Sequence, residues 1–200
     1  MNFELHEFYH IYNRGNNKQL IFFNSDNYLF FLQKIRQQLL PVSDIICYCL
    51  MPNHFHFLIR ANEKSIEERK SFGGKPMQEL AYRIGVLLSS YTQAINKTNE
   101  RSGSLFQKKS KSKMLADSKH RSRSSYLEDC FYYIHQNPVN AGLVNEISKW
   151  PYSSFPDYAG LRNGTMCCQE LFFKETGLLQ KDIDGRAKKI IDTETINYLF

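Results

Sequence analysis

An α+β fold built on one antiparallel sheet is the class this sequence predicts, and three observations carry the expectation. Short aromatic and β-branched runs alternate with two long amphipathic stretches in the order strand, helix, strand, strand, helix, strand. Only Met51-Pro52-Asn53 separates the second run from the third, so those two strands form an antiparallel hairpin. The third run, His54-Phe55-His56-Phe57-Leu58-Ile59-Arg60, alternates so that both histidines share one face while Phe55, Phe57 and Ile59 share the other.

Taken in order, Phe8-Tyr9-His10-Ile11-Tyr12 reads as the first strand and Asn13-Arg14-Gly15-Asn16-Asn17 as the turn that ends it. Asn24-Ser25-Asp26 offers a helix N-cap, after which Tyr28, Leu29, Leu32, Ile35, Leu39 and Leu40 recur at helical spacing until Pro41. The second strand runs from Asp44 to Leu50. Residues 61–76 carry charge and then Ser71-Phe72-Gly73-Gly74, which predicts a mobile loop before the second helix. Pro76 suits that helix's first turn, and Leu80, Ile84, Leu87, Leu88, Tyr91 and Ile95 form its apolar stripe. Beyond Asn99 the chain turns basic, with Lys113-Met114-Leu115 as the fourth strand.

This order is the split βαβ, ferredoxin-like arrangement, in which both helices cover one sheet face and leave the other open. The histidine parity places the imidazoles on that open face. Ser125-Tyr126-Leu127-Glu128 is a capping box for a third helix, which Pro138 is expected to stop. On it Leu127, Cys130, Phe131 and Ile134 make an apolar stripe, and Tyr126, Tyr133 and Asn137 fall on an adjoining one. Residues 1–155 form the main domain, and 156–200 a small helical extension to which the sequence assigns no role.

The chain has 200 residues, enough for a real core, and a formal charge of +6. With a pI near 9.0 it favours polyanions, nucleic acid before membrane. No apolar run is long enough to cross a bilayer, and Met1-Asn2-Phe3-Glu4 opens no signal peptide. Five cysteines without framework spacing read as reduced thiols, hence a cytoplasmic protein. Monomer and homodimer are both open.

Two neutral imidazoles on neighbouring same-face positions can share one divalent metal, although a bare His-x-His is more often a pair of ordinary strand residues. A rival structural zinc site would use Cys47 and Cys49 with His54 and His56, but a short hairpin leaves little room for tetrahedral closure.

Several blocks in order resemble a known family. They are Tyr9-His10-Ile11 with Asn13-Arg14-Gly15, then Met51-Pro52-Asn53-His54-Phe55-His56, then Gly103-Ser104-Leu105-Phe106-Gln107. Tyr133-Ile134-His135-Gln136-Asn137-Pro138-Val139-Asn140-Ala141-Gly142-Leu143-Val144 and Trp150-Pro151-Tyr152-Ser153-Ser154 follow. Together they resemble the single-tyrosine HUH transposases, nearest the REP-associated tyrosine transposase branch, over roughly residues 8–155. The resemblance implies a palm that binds single-stranded or hairpin DNA and cleaves it through a 5′-phosphotyrosine, with Mg2+ or Mn2+ as cofactor. It implies His54, His56 and Asn137 as metal ligands and Tyr133 as nucleophile. Tyr132 stands four before Gln136 just as Tyr133 stands four before Asn137, so Tyr132 and Gln136 are the second choices. Asn140 departs from the family, which often has a basic residue there.

The serine-rich basic segment, Lys108, Lys109, Lys111, Lys113, Lys119, Arg121 and Arg123, lies between the histidine strand and the tyrosine helix. It suggests a groove that tracks a nucleic-acid backbone, with Arg14 as a further phosphate contact. The competing function is a non-catalytic single-stranded nucleic-acid-binding module on the same palm, a degenerate transposase that binds without cutting.

Overall fold

The computed structural model describes residues 1–70, 73–116 and 122–199. Its main sheet has four strands: β1 (Phe8–Arg14), β2 (Asp44–Met51), β3 (His54–Arg60) and a fourth at Lys111–Met114. Their order across the sheet is β2, β3, β1 and then Lys111–Met114, with every neighbour antiparallel. That is the order of the ferredoxin-like split βαβ. Only Pro52 and Asn53 join β2 to β3, as the hairpin spacing requires.

Helices α1 (Ser25–Gln38) and α3 (Glu79–Thr98) pack on one face; the single turn α2 (Glu63–Ile66) lies between them in sequence. Asn24 caps α1 by accepting from the Asn27 amide, as the Asn-Ser-Asp signal implies. Tyr9, Ile11, Phe55, Phe57 and Ile59 meet Phe31, Ile35, Leu80, Ile84, Leu87 and Tyr91 in one core. The odd-numbered residues of β1 and β3 are therefore the ones buried against the two helices, joined by Tyr48 and Leu50 of β2. In β2 a bulge between Ile45 and Cys47 turns both Ile46 and Cys47 to the opposite face.

Several expectations are corrected. Pro76 does not begin α3: Pro76–Gln78 is a short strand, β5, paired with β4 (Glu68–Lys70), and α3 starts at Glu79. Pro76 lies at the edge of a two-stranded ribbon, which needs no amide from it. The loop expected at Ser71-Phe72-Gly73-Gly74 falls partly on residues 71 and 72, outside the described residues. The fourth strand, now β6 (Lys111–Met114), begins two residues before the basic-run pattern suggests.

The far face of the sheet is also not left open. Helix α4 (Arg123–Asn140), with α5 (Phe155–Tyr158), α6 (Gln169–Thr176) and α7 (Thr193–Leu199), builds a second core there. Phe8, Cys47, Cys49, Leu58 and Leu115 from the sheet side meet Leu127, Cys130, Phe131, Ile134, Phe155, Tyr158 and Phe172. Residues beyond 155 thus close a core instead of trailing from one. Ser122, not Ser125, caps α4, accepting from the Ser125 amide.

Pro138 does not stop α4, which runs on to Asn140. A proline this near the end removes one amide, the one that would have met the Ile134 carbonyl. The Asn137 side chain takes its place: Nδ2 donates to the Tyr133 carbonyl at 2.8 Å and approaches the Ile134 carbonyl at 3.4 Å.

Candidate metal and nucleic-acid site

Strand alternation puts His10, Tyr12 and Arg14 of β1 on the same face as His54 and His56 of β3. Across the ladder Tyr12 stands opposite His56 and Arg14 opposite His54. The tip of the β2–β3 hairpin is held by main-chain bonds. The Asn53 carbonyl accepts from Gly15 at 2.7 Å and the Pro52 carbonyl from Ile21 at 2.8 Å. The histidines therefore sit at a rigid edge of the sheet. Their rings lie 5.0 Å apart between centroids and at 89° to each other.

Helix α4 brings Tyr133 to the same place, its ring 5.9 Å from that of His56 and perpendicular to it. The Asn137 side chain acts on two groups, raising the pKa of the His54 ring and lowering that of the Tyr133 phenol. Its Nδ2 is turned back onto the Tyr133 and Ile134 carbonyls, which leaves Oδ1 as the atom that can accept from the His54 ring. His54, His56 and Tyr133 line a cleft of about 480 Å³ together with Tyr12 and Arg14. Lys109, Lys111 and Gln107 complete its rim. Its size suits a nucleotide-sized ligand.

The electrostatics follow from burial. Desolvation lowers the pKa of His54, with an opposing contribution from Asn137 and a further lowering from Arg14. His56 is pushed well below the ordinary histidine range by burial, then by His10, His54 and Arg14. Both imidazoles are neutral at pH 7, the form in which a ring nitrogen can ligate a metal. Burial raises the Tyr133 phenol to about 12, against a lowering by Asn137, so it holds its proton at neutral pH. Asn53 Oδ1 lies 2.6 Å from His54 Nδ1 and its amide nitrogen faces the Lys18 carbonyl. An oxygen there accepts only, so His54 carries its proton on Nδ1 and keeps a lone pair on Nε2. One imidazole lone pair, a second neutral imidazole and a carboxamide oxygen form a donor set that fits a hard or borderline divalent cation.

Not every candidate residue arrives here. Tyr132 is buried in the second core and its hydroxyl donates to the Ile183 carbonyl at 3.2 Å. Gln136 donates to the Ala187 and Lys189 carbonyls at 3.1 and 2.8 Å. One helical step turns both toward the 183–189 segment, so neither second choice reaches the cleft. Lys113 places its ammonium 4.5 Å from the Tyr198 ring centroid, and Arg123 pairs with Glu7 and Glu175 at 3.4 and 3.5 Å. Lys108 is exposed along the α3 side, away from the histidines. Of the expected basic contacts, Arg14, Lys109 and Lys111 line the cleft; Lys119 and Arg121 fall outside the described residues. No cluster of three or more His, Cys, Asp or Glu able to hold a metal exists among the described residues, which removes the Cys47–Cys49 zinc arrangement. Those thiols are buried packing groups.

Sequence reasoning assigned no role to His10 or Tyr12. His10 is fully buried and its Nε2 lies 2.8 Å from His56 Nδ1, and Tyr12 stacks on His10 at 4.9 Å. The period of two in β1, set in register with β3, was the available signal.

No family model matches the chain. A Haemophilus influenzae protein named as a REP-associated tyrosine transposase is 25% identical over 121 residues, 56% of this chain. The match spans 58% of that relative's length. A solved structure of a REP-associated tyrosine transposase bound to a REP hairpin superposes with a TM-score of 0.54 at 18% identity. That superposition covers 81% of this chain and 85% of the other, and it shows a shared fold. The site's residues thus sit in a chain that, in sequence and in fold, resembles the REP-associated tyrosine transposases.

Proposed function

We propose that this protein cleaves and rejoins single-stranded or hairpin DNA through a covalent bond to Tyr133, assisted by Mg2+ or Mn2+. The observation that carries the reading is convergence: two neutral imidazoles and a phenol line one cleft rimmed by Arg14, Lys109 and Lys111, with the Asn137 carboxamide acting on both His54 and Tyr133. His54, His56 and Asn137 would hold the metal. Bound there, it supplies Lewis-acid polarisation of the non-bridging phosphate oxygens.

The chain's own groups do the rest. Arg14, Lys109 and Lys111 hold the phosphate backbone, giving affinity with little sequence reading. Tyr12 offers an aromatic face for a base beside the scissile phosphate. The Tyr133 oxygen attacks phosphorus, a phosphotyrosine bond forms, and the bond from phosphorus to the 3′-oxygen breaks. The phenolic proton is lost to solvent and the leaving 3′-oxygen takes one up, giving a 5′-phosphotyrosine and a 3′-hydroxyl. Attack by a 3′-hydroxyl on the phosphotyrosine reverses the step and returns the phenol, so joining consumes no nucleotide. Asn137, against the phenol, orients it and works against the rise in its pKa caused by burial.

The test incubates the full chain with labelled hairpin oligonucleotides and Mg2+ or Mn2+, read on a denaturing gel. The expected result is a protein–DNA adduct that Tyr133→Phe abolishes while DNA binding stays within about twofold of wild type. No adduct over a broad hairpin panel, with an active relative as control, returns the protein to the class of non-catalytic binders.

A further inference from the structure

We propose that His10 is a positioning residue for His56: together with the main-chain carbonyl of Leu199 it forms a relay that fixes His56 with its proton on Nδ1 and its lone pair on Nε2. The inference deepens the metal-assisted reading and rests on it for its functional meaning, but the relay itself is a property of the metal-free protein.

The argument starts at an atom with no choice. The Leu199 carbonyl oxygen lies 3.0 Å from His10 Nδ1, and a carbonyl can only accept. His10 Nδ1 therefore carries a hydrogen. A neutral imidazole has one N–H, and His10 is fully buried, where an unpaired charge is costly, so it is held in the neutral form. His10 Nε2 is then an acceptor. It stands 2.8 Å from His56 Nδ1, so that contact requires the hydrogen on His56 Nδ1. One N–H is again the limit, and His56 Nε2 is left with the lone pair. The choice made at a carbonyl in α7 is thus transmitted through two rings to the cleft.

The relay has a counterpart and a foundation. His54 reaches the same tautomer by a local device, the carboxamide of its own neighbour Asn53 at 2.6 Å. The two histidines are oriented alike, one from within the hairpin tip and one from a segment more than a hundred residues away in sequence. The distant end is anchored. The Tyr198 hydroxyl donates to the Met114 carbonyl at 3.3 Å and accepts from the Ala116 amide at 3.1 Å. Its ring stacks on Tyr126 with centroids 4.1 Å apart. These contacts tie α7 to β6 and α4, the elements that flank the cleft. The segment beyond residue 155, which the sequence left without a role, thereby contributes to the orientation of a candidate metal ligand.

Long-range proton–nitrogen correlation spectra of the full chain, labelled with 15N-histidine and free of metal at pH 7.5, test this directly. Wild type is expected to show His10 and His56 as neutral Nδ1–H tautomers. His10→Phe keeps an aromatic ring and removes the acceptor. It is expected to shift His56 toward Nε2–H and to weaken Mn2+ binding, measured by EPR titration, by about 10- to 100-fold. His10→Gln supplies an oxygen that can accept from His56 Nδ1, and is expected to restore the Nδ1–H form and most of the affinity. An Nε2–H signal for His56 in wild type overturns the relay, and needs no variant to fold. Unchanged His56 tautomer and Mn2+ affinity in folded His10→Phe overturns it as well. Should the tautomers follow the variants while Mn2+ leaves the His54 and His56 signals untouched, the relay stands and the metal reading alone fails.

Discussion

At the scale of the residue, the site depends on side chains whose orientation is settled by main-chain groups. Asn137 is the clearest case. Its amide nitrogen replaces the hydrogen bond that Pro138 removes from the Ile134 carbonyl, and this leaves its oxygen for the His54 ring. The Asn-Pro pair is therefore one device: the proline leaves a carbonyl short of a partner and the asparagine is oriented by meeting it. We expect Asn137→Ala to lower both Mn2+ affinity and covalent adduct formation by at least about tenfold. Calorimetry with Mn2+ and adduct gels check this, and an unchanged adduct yield would remove Asn137 from the site. His54 and His56 were legible because strand parity is a strict period of two. Tyr133 was legible only beside Tyr132, since spacing along a helix does not say which of two adjacent residues faces the sheet. His10 was missed because its role depends on register with β3 and on a carbonyl in α7, and neither is written near it in sequence.

At the scale of the element, α4 works with two faces. One carries Tyr133 to the cleft, with Asn137 one turn behind it; the other is a buried aromatic surface. Phe131 sits at its centre, with ring centroids 4.3 Å from both His135 and Phe172 and 4.7 Å from Tyr158. Truncating so enclosed a ring removes packing on several sides at once. We expect Phe131→Ala to cost about 3–5 kcal/mol in unfolding free energy, measured by urea titration. A loss under about 1 kcal/mol would mean that α4 is not held by this face. The four sheet strands and both covering helices were readable because long periodic stretches reveal themselves without tertiary information. The failures fall where tertiary contacts override a local signal. Pro76 looked like a helix start and is an edge-strand residue; Pro138 looked like a stop, yet the helix continues past it because Asn137 repairs the gap. The far sheet face looked open because nothing in 156–191 shows a long apolar period, although Tyr158 and Phe172 are fully buried there.

At the scale of the whole molecule, charge and burial set how the protein responds to solution conditions. Arg14, Lys109 and Lys111 are the basic groups at the cleft, so binding of a single-stranded or hairpin oligonucleotide should weaken linearly in a plot of log affinity against log salt. Lys111→Ala is expected to reduce that slope by about 0.7–0.9 and to weaken binding evenly across sequences. An unchanged slope places the DNA elsewhere. His135 is buried, with Nε2 2.9 Å from Ser154 Oγ, and burial lowers its pKa from 6.5 to about 3. Below pH 6.5 the unfolded chain takes up a proton that the folded one refuses. Stability from this group is therefore complete above pH 6.5 and falls as the pH drops toward 3, by at most about 1.4 kcal/mol per pH unit. His10, lowered to about 4, acts in the same direction. Urea midpoints at pH 5.0 and 7.5 measure the sum; equal midpoints would contradict the burial of these rings. A last consequence belongs to α4 as a body. Tyr133 and Asn137 are one turn apart on the same helix, so no rigid-body motion of that helix can separate phenol from carboxamide. Any tilt or slide of it changes instead the span from this joined pair to the imidazoles, and under the proposed mechanism that span would govern strand scission.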